Sequence, residues 1–337
     1  MHRFFRGDIM QRKHNRLQGP LAAIGFLILI LDSRLALEGA ASAVVLCTRT
    51  VIPALFPFFV LSMLLTDSLK DSVPRPFRIL GKTLGIPESA ASLVIPAFLG
   101  GYPVGAKTVG DLYHSRRISA EEAQRLLAFC SNAGPSFLFG MVSGFFPEKR
   151  TLWLLWIIHI LSAILTAMAL PPVKDPPDSR PLPTESSHTD ILWSAAKAMA
   201  LVCCWVVLFR IILTFLEAWF FPMLPDWANV LLSGILELTN GCFALTRIAR
   251  IPIRFILCSC MLSFGGICVL LQTAAVTRGL SLRFYLLGKL LQTGFSLLLS
   301  LSLLSPLRWY LVPPLPLAVI LVRKSKIRYG NPELLPV

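Results

Sequence analysis

Charge is scarce in this chain. Only 15% of its 337 residues are Asp, Glu, Lys or Arg, against 55% hydrophobic, and the mean hydropathy is +0.69. That balance excludes an ordinary soluble globule and makes the bilayer the expected solvent. Acidic residues are the rarer sign, 18 against 32 basic, for a net charge of +14. Histidine is also sparse: His2, His14, His114, His159 and His188 are scattered, with no Ser-His-Asp or Cys-His grouping among them. The chain therefore carries no catalytic set and is not expected to be an enzyme.

Other motifs are missing too. Gly100-Gly101-x-x-x-Gly105 lacks the Gly-Lys-Ser/Thr ending of a phosphate loop. The eight cysteines lie in or near apolar segments without C-x-x-C spacing, and they read as small buried hydrophobes rather than disulfides or metal ligands. No metal or cofactor is expected. Short alternating runs of the kind that build a barrel are absent, while several apolar runs approach the roughly 20 residues needed to cross a bilayer as helix. The fold class is all-α, a polytopic membrane protein of about nine or ten apolar segments.

The basic excess clusters beside these runs. Arg12, Lys13 and Arg16 precede the first, and Arg323, Lys324, Lys326 and Arg328 follow the last. Such flanks obey the positive-inside rule and contact anionic lipid, so lipid rather than nucleic acid is the expected partner. Residues 1–18 read as a basic cytoplasmic tail. The run at 21–31 continues through Asp32 and Arg34 without a clear cleavage site, which favours a retained membrane helix over a signal peptide. Domain organisation follows: a first membrane repeat at 19–171, a Pro-rich linker at 172–190 on the non-cytoplasmic side, a second repeat at 191–323 and a basic tail at 324–337.

One stretch differs from its surroundings. Residues 96–140 hold Gly100, Gly101, Pro103, Gly105 and Lys107, then a polar run, then Cys130-Ser131-Asn132-Ala133-Gly134-Pro135 inside apolar sequence. Glycine and proline open the backbone, and an open backbone at membrane depth must be buried in protein or line a wet cavity. Within this stretch Ser119-Ala120-Glu121-Glu122 has the capping-box pattern and predicts a helix from Ala120 through Phe129 to the Asn132–Pro135 break. Upstream, Pro53 and Pro57 predict either a simple kink or a second lining element of the same cavity.

The second half echoes the first. Gly265-Gly266 repeats Gly100-Gly101, Gln272 follows Gly266 by six residues as Lys107 follows Gly101, and Gly279-Leu280-Ser281 repeats Arg117-Ile118-Ser119. Inverted repeats of this kind place two broken segments together near the bilayer midplane. Polar residues inside the apolar runs are the candidate site, because lipid penalises them: Lys107, Ser131 and Asn132 in the first half, Glu237, Thr239, Asn240 and Gln272 in the second. Gly241, Gly265 and Gly266, with the glycines and prolines above, shape the openings. Lys107 serves either as structural counter-ion to Glu237 or as the cation for an anionic ligand; Glu237 serves either that pair or a coupling cation or proton. Arg210 is expected to snorkel to an interface, with Glu217 seven residues on and too far for a local pair.

The blocks GGYPVGAK, RISAEEAQRLLAFCSNAGPSFLFG, LELTNG and SFGGICVLLQ resemble the YlbJ family of sporulation integral membrane proteins, also called SpoVV, over about residues 40–300. The resemblance implies the nucleoside-recognition or Gate domain and distant kinship with concentrative nucleoside transporters, with re-entrant hairpins and broken helices. It further implies movement of a small organic anion, dipicolinate, across the outer forespore membrane. Two alternatives remain: a transporter of nucleosides or other organic anions, and a non-transporting assembly factor of that membrane.

Overall fold

The computed structural model describes residues 19–20, 22–69, 73–171, 173 and 188–304. The predicted tail at 1–18, nearly all of the linker, the apolar run at 307–322 and the tail at 324–337 lie outside the described residues. Within them every regular element is helical, as the composition requires.

Among the described residues, five stretches are long and apolar enough to cross a membrane: Ser33–Leu65, Lys149–Ala169, Thr189–Trp219, Ile251–Val276 and Arg283–Leu304. Others of the nine or ten predicted apolar segments are shorter or divided by breaks, and the run at 307–322 lies outside the described residues. The chain is an all-α polytopic membrane protein. Exposed side chains along its long helices include Leu61, Trp153, Ile157, Leu208 and Leu290, as expected where lipid tails replace water.

A short helix α1 (Ala22–Leu31) leads into α2 (Ser33–Leu46), for which Asp32 supplies the N-cap by accepting from Leu35 N. Helix α2 passes through a π turn (Cys47–Val51) into α3 (Ile52–Ser68). The turn falls just ahead of Pro53, whose missing N–H and ring interrupt the regular ladder. Helix α4 (Arg75–Leu84) is amphipathic, with Gly81 and Leu84 inward and Ile79, Arg75 and Lys82 outward.

The Gly/Pro-rich stretch folds as two interrupted helices. The first is a 3-10 turn (Glu88–Leu93) continuing into α5 (Val94–Leu99), then a break at Gly100–Pro103, then α6 (Val104–His114). The second is α7 (Ala120–Leu127), then the irregular Ala128–Gly134, then a π turn (Ser136–Met141) and a 3-10 turn (Val142–Phe145). The capping box forms as predicted: Glu122 N donates to Ser119 Oγ at 3.1 Å and Ser119 N to Glu122 Oε2 at 2.8 Å.

Continuous helices surround this unit. Helix α8 (Lys149–Ala169) and α9 (His188–Trp219) are unbroken. Then come α10 (Asp226–Leu236) and α11 (Leu238–Ala244), separated at Glu237 alone, and α12 (Ile251–Phe264) and α13 (Gly266–Val276), separated at Gly265. Helix α14 (Arg283–Leu304) closes the described fold. Small residues let the helices approach, as is general where lipid supplies no hydrophobic drive. The hydroxyls of Ser259 on α12 and Ser296 on α14 lie 2.6 Å apart, and Gly39 on α2 leaves no room for a side chain beside Thr214 on α9.

Candidate functional site

The breaks converge. Gly101 has φ +78, a region open to glycine, and it lies against Gly134: a Cβ on Gly134 would come within 2.9 Å of Gly101 Cα. The break after α5 and the break after α7 therefore cross backbone to backbone. On the other side Gly265, with φ +82, leaves space for Tyr102, whose ring carbon would lie 3.1 Å from a Cβ there. Tyr102 OH donates to Leu262 O at 3.0 Å, satisfying a carbonyl that the end of α12 leaves without a helical partner. Tyr102 is thus the strut between the first-half and second-half breaks.

Between them lies a cavity of about 540 Å³, open mouth included. Its polar lining comprises Thr50 from the π turn, Tyr102, Glu237, Thr239 and Gln272, with Ala133 and Gly134 contributing the α7 break. The Pro53–Pro57 segment lines the same cavity through Thr50, Val51, Ala54 and Leu55, which realises the second of its two predicted roles.

Glu237 is 2% exposed. Its carboxylate accepts from Thr239 N at 3.0 Å, Asn240 N at 2.7 Å and Asn240 Nδ2 at 2.6 Å. The charge caps the N-terminus of α11, where backbone N–H groups and the helix dipole favour an anion. Asn240 Oδ1 receives Arg210 Nη1 at 3.4 Å, and Arg210 also pairs with Glu217 at 3.0 Å. The expectation that Glu217 stands too far from Arg210 is corrected here: two turns of helix separate the Cα atoms, and both long side chains lean along the same face to meet.

The predicted site residues divide between places. Glu237, Thr239 and Gln272 line the cavity; Asn240 stands behind Glu237. Ser131 and Asn132 lie one layer deeper, so the α7 break reaches the cavity through Ala133 and Gly134. Lys107 does not line it. Its side chain is 22% exposed and pairs with Asp111 Oδ2 at 2.6 Å, one turn along α6, rather than with Glu237. Among the predicted openings, Gly100 caps α5, Pro103 caps α6, Pro135 leads the π turn, and Gly265 and Gly266 bound the α12–α13 break. Two glycines act differently from their prediction. Gly105 and Gly241 sit inside helices, where Gly105 packs on Cys130 O and Gly241 on Gly234 Cα. The opening near Gly241 falls instead at Glu237, with extended backbone at φ −147 and ψ 120.

The lysine enclosed by the bundle is Lys289, on α14 and 1% exposed. Its Nζ donates to Tyr102 OH at 3.0 Å, to Gln292 Oε1 at 2.9 Å and to Ser131 O. Gln292 Nε2 donates to Asn132 Oδ1 at 2.9 Å, and Asn132 Nδ2 to Ala97 O and Phe129 O, each at 2.8 Å. His159 Nε2 accepts from Ala133 N at 3.1 Å. This network ties the opened backbone of α5 and α7 to α8 and α14, supplying partners that lipid does not. Sequence reasoning missed Lys289 and Gln292. Their signal was present, a lysine and an amide inside an apolar run with Gly288 directly before the lysine, but no proline or glycine pair marks a break in that helix.

Substituted cysteines will test the cavity. In a Cys204→Ser background, Thr239→Cys and Val269→Cys are expected to react with a small hydrophilic thiol reagent at least about tenfold faster than Thr273→Cys. Val269 lines the cavity, whereas Thr273 on the same helix is buried away from it. Equal rates at the three positions would mean that no water-accessible cavity exists there.

No family model and no solved structure matches this chain. Among curated proteins it is similar to the sporulation integral membrane protein YlbJ of Bacillus subtilis (strain 168), with 25% identity over 326 residues, covering 80% of this chain and 78% of that protein. That similarity, beside the helical membrane fold, supports the YlbJ family of sporulation integral membrane proteins for this chain.

Proposed function

We propose that the chain is a transporter that carries a small organic anion, dipicolinate, across the outer forespore membrane during sporulation, without converting it chemically. The observation that carries this reading is the meeting of interrupted helices from both halves of the chain at one polar cavity. Interrupted helices are unfavourable in lipid and are retained where backbone groups serve a solute. In this reading the N-terminus is cytoplasmic, and Glu237 serves a coupling cation or proton between substrate cycles.

A second reading has its own support. Among the described residues, the charged side chain in the cavity lining is Glu237, with no basic residue beside it. That arrangement suits an uncharged polar solute such as a nucleoside. Purified protein in liposomes separates the two. Saturable uptake of labelled dipicolinate, displaced by excess dipicolinate and not by nucleosides, is the expected result. The converse competition would establish the nucleoside reading. Uptake of neither compound by protein that is folded and correctly inserted would leave an assembly role in the forespore membrane.

A further inference from the structure

The cavity lining lacks a cation, yet a cation stands directly behind it. Lys289 Nζ is 4.9 Å from the ring centroid of Tyr102, and Tyr102 lines the cavity. The three hydrogen-bond acceptors of Lys289 are a phenol, a backbone carbonyl and an amide. None of them is an anion, so a proton held on Lys289 is solvated but not neutralised by these contacts. Burial disfavours the charged form of a lysine that lacks a counter-ion, and the arrival of an anion favours it.

A second feature surrounds the same lysine. Ser131 Oγ, Thr273 Oγ1 and Tyr285 OH are buried and make no hydrogen bond among the described residues. The Ser131 and Thr273 hydroxyls are the neighbours that Tyr285 OH interacts with. The Tyr285 ring is 5.7 Å from Lys289 Nζ. Unsatisfied buried hydroxyls are uncommon in native proteins and call for an explanation. Together with Lys289 these three hydroxyls form a polar layer behind the cavity wall rather than part of its lining.

We propose that Lys289, seated behind Tyr102 among the hydroxyls of Ser131, Thr273 and Tyr285, is the residue that makes the cavity select anionic over neutral solutes. The inference rests on the transport reading and names the determinant of its substrate charge. It also resolves the apparent mismatch between an anionic solute and a lining whose own charge is Glu237. Glu237 is hydrogen-bonded to the N-terminus of α11, and Lys289 adds positive potential from behind Tyr102 to offset it. With an effective dielectric of about 20, a positive charge roughly 8 Å from a carboxylate favours its binding by about thirtyfold.

The test compares pyridine-2,6-dicarboxylate with its neutral isostere pyridine-2,6-dicarboxamide, as binding and uptake by the purified full-length protein in liposomes. The wild-type protein is expected to prefer the dianion. Lys289→Gln should reduce the dianion-to-diamide preference at least about thirtyfold, while Lys289→Arg keeps most of it. A merely structural lysine would lower both affinities together and leave the ratio unchanged. Should Lys289→Gln fail to fold, Tyr285→Phe removes one hydroxyl and little else, and it is expected to weaken the dianion severalfold with the diamide unaffected. An unchanged ratio in folded Lys289→Gln, equal losses for both ligands in Tyr285→Phe, or a wild-type preference for the diamide would each overturn the assignment. Failure of the wild-type protein to take up either compound would instead remove the transport reading on which it rests.

Discussion

Arg125→Met is expected to destabilise the protein by about 3–5 kcal/mol and lower its melting temperature in detergent by roughly 10 °C. Arg125 is buried on α7, and its guanidinium collects carbonyls from two helix ends. Nη2 donates to Leu84 O at 2.9 Å and Ala167 O at 3.1 Å, Nη1 to Gly85 O at 3.0 Å and Nε to Pro171 O at 2.8 Å. The last carbonyls of a helix have no partner within it. Here the ends of α4 and α8 are both closed by one side chain. Methionine fills the volume but donates nothing, leaving four acceptors, each worth about 1–3 kcal/mol when buried and unmet, with water recovering part of the loss. Arg125→Lys should recover less than half of the stability, because an ammonium lacks the planar fork that spans four oxygens. An unchanged melting curve for Arg125→Met would show that the clamp contributes nothing.

The second large effect concerns close backbone approach. Gly105→Ala and Gly241→Ala are each expected to destabilise by about 3 kcal/mol or more and to abolish uptake. A Cβ at Gly105 would overlap Cys130 O, and one at Gly241 would overlap Gly234 Cα. Both obstacles are backbone, so no side-chain rotation relieves them. The first change pushes α6 off the α7 break; the second pries α11 from α10 and displaces Glu237 from the cavity. Gly144→Ala is the control, since a Cβ there meets nothing within 4 Å. If all three variants melt alike, the crossings are looser than described.

The local features were legible before the fold was. The capping box at Ser119–Glu122 needs only four consecutive residues and the intrinsic preference of each. The proline pair at Pro53 and Pro57 announces its own disruption, and the glycine pairs announce breaks. These follow from backbone sterics, which act over a few residues. The Glu237 break was harder to place. The eye goes to Gly241, but the carboxylate that caps α11 is what interrupts the helix, and Gly241 serves packing.

Burial was not legible in the same way. Lys107 and Lys289 both stand in largely apolar surroundings, and Lys107 drew attention because glycines precede it. Which lysine is enclosed depends on the face that α6 and α14 present to the bundle. On α6 an acidic residue one turn away holds Lys107 at the periphery; on α14 Gly288 packs against Ala128 and turns Lys289 inward. Sequence by itself determined that this chain is a helical membrane protein whose helices break at defined positions, because hydropathy and backbone sterics are local. Tertiary structure alone decided that the breaks meet at one cavity, that Tyr102 joins the two halves, and that Lys289 is the lysine behind it. Those outcomes depend on which helix faces touch, and residues more than a hundred positions apart set them.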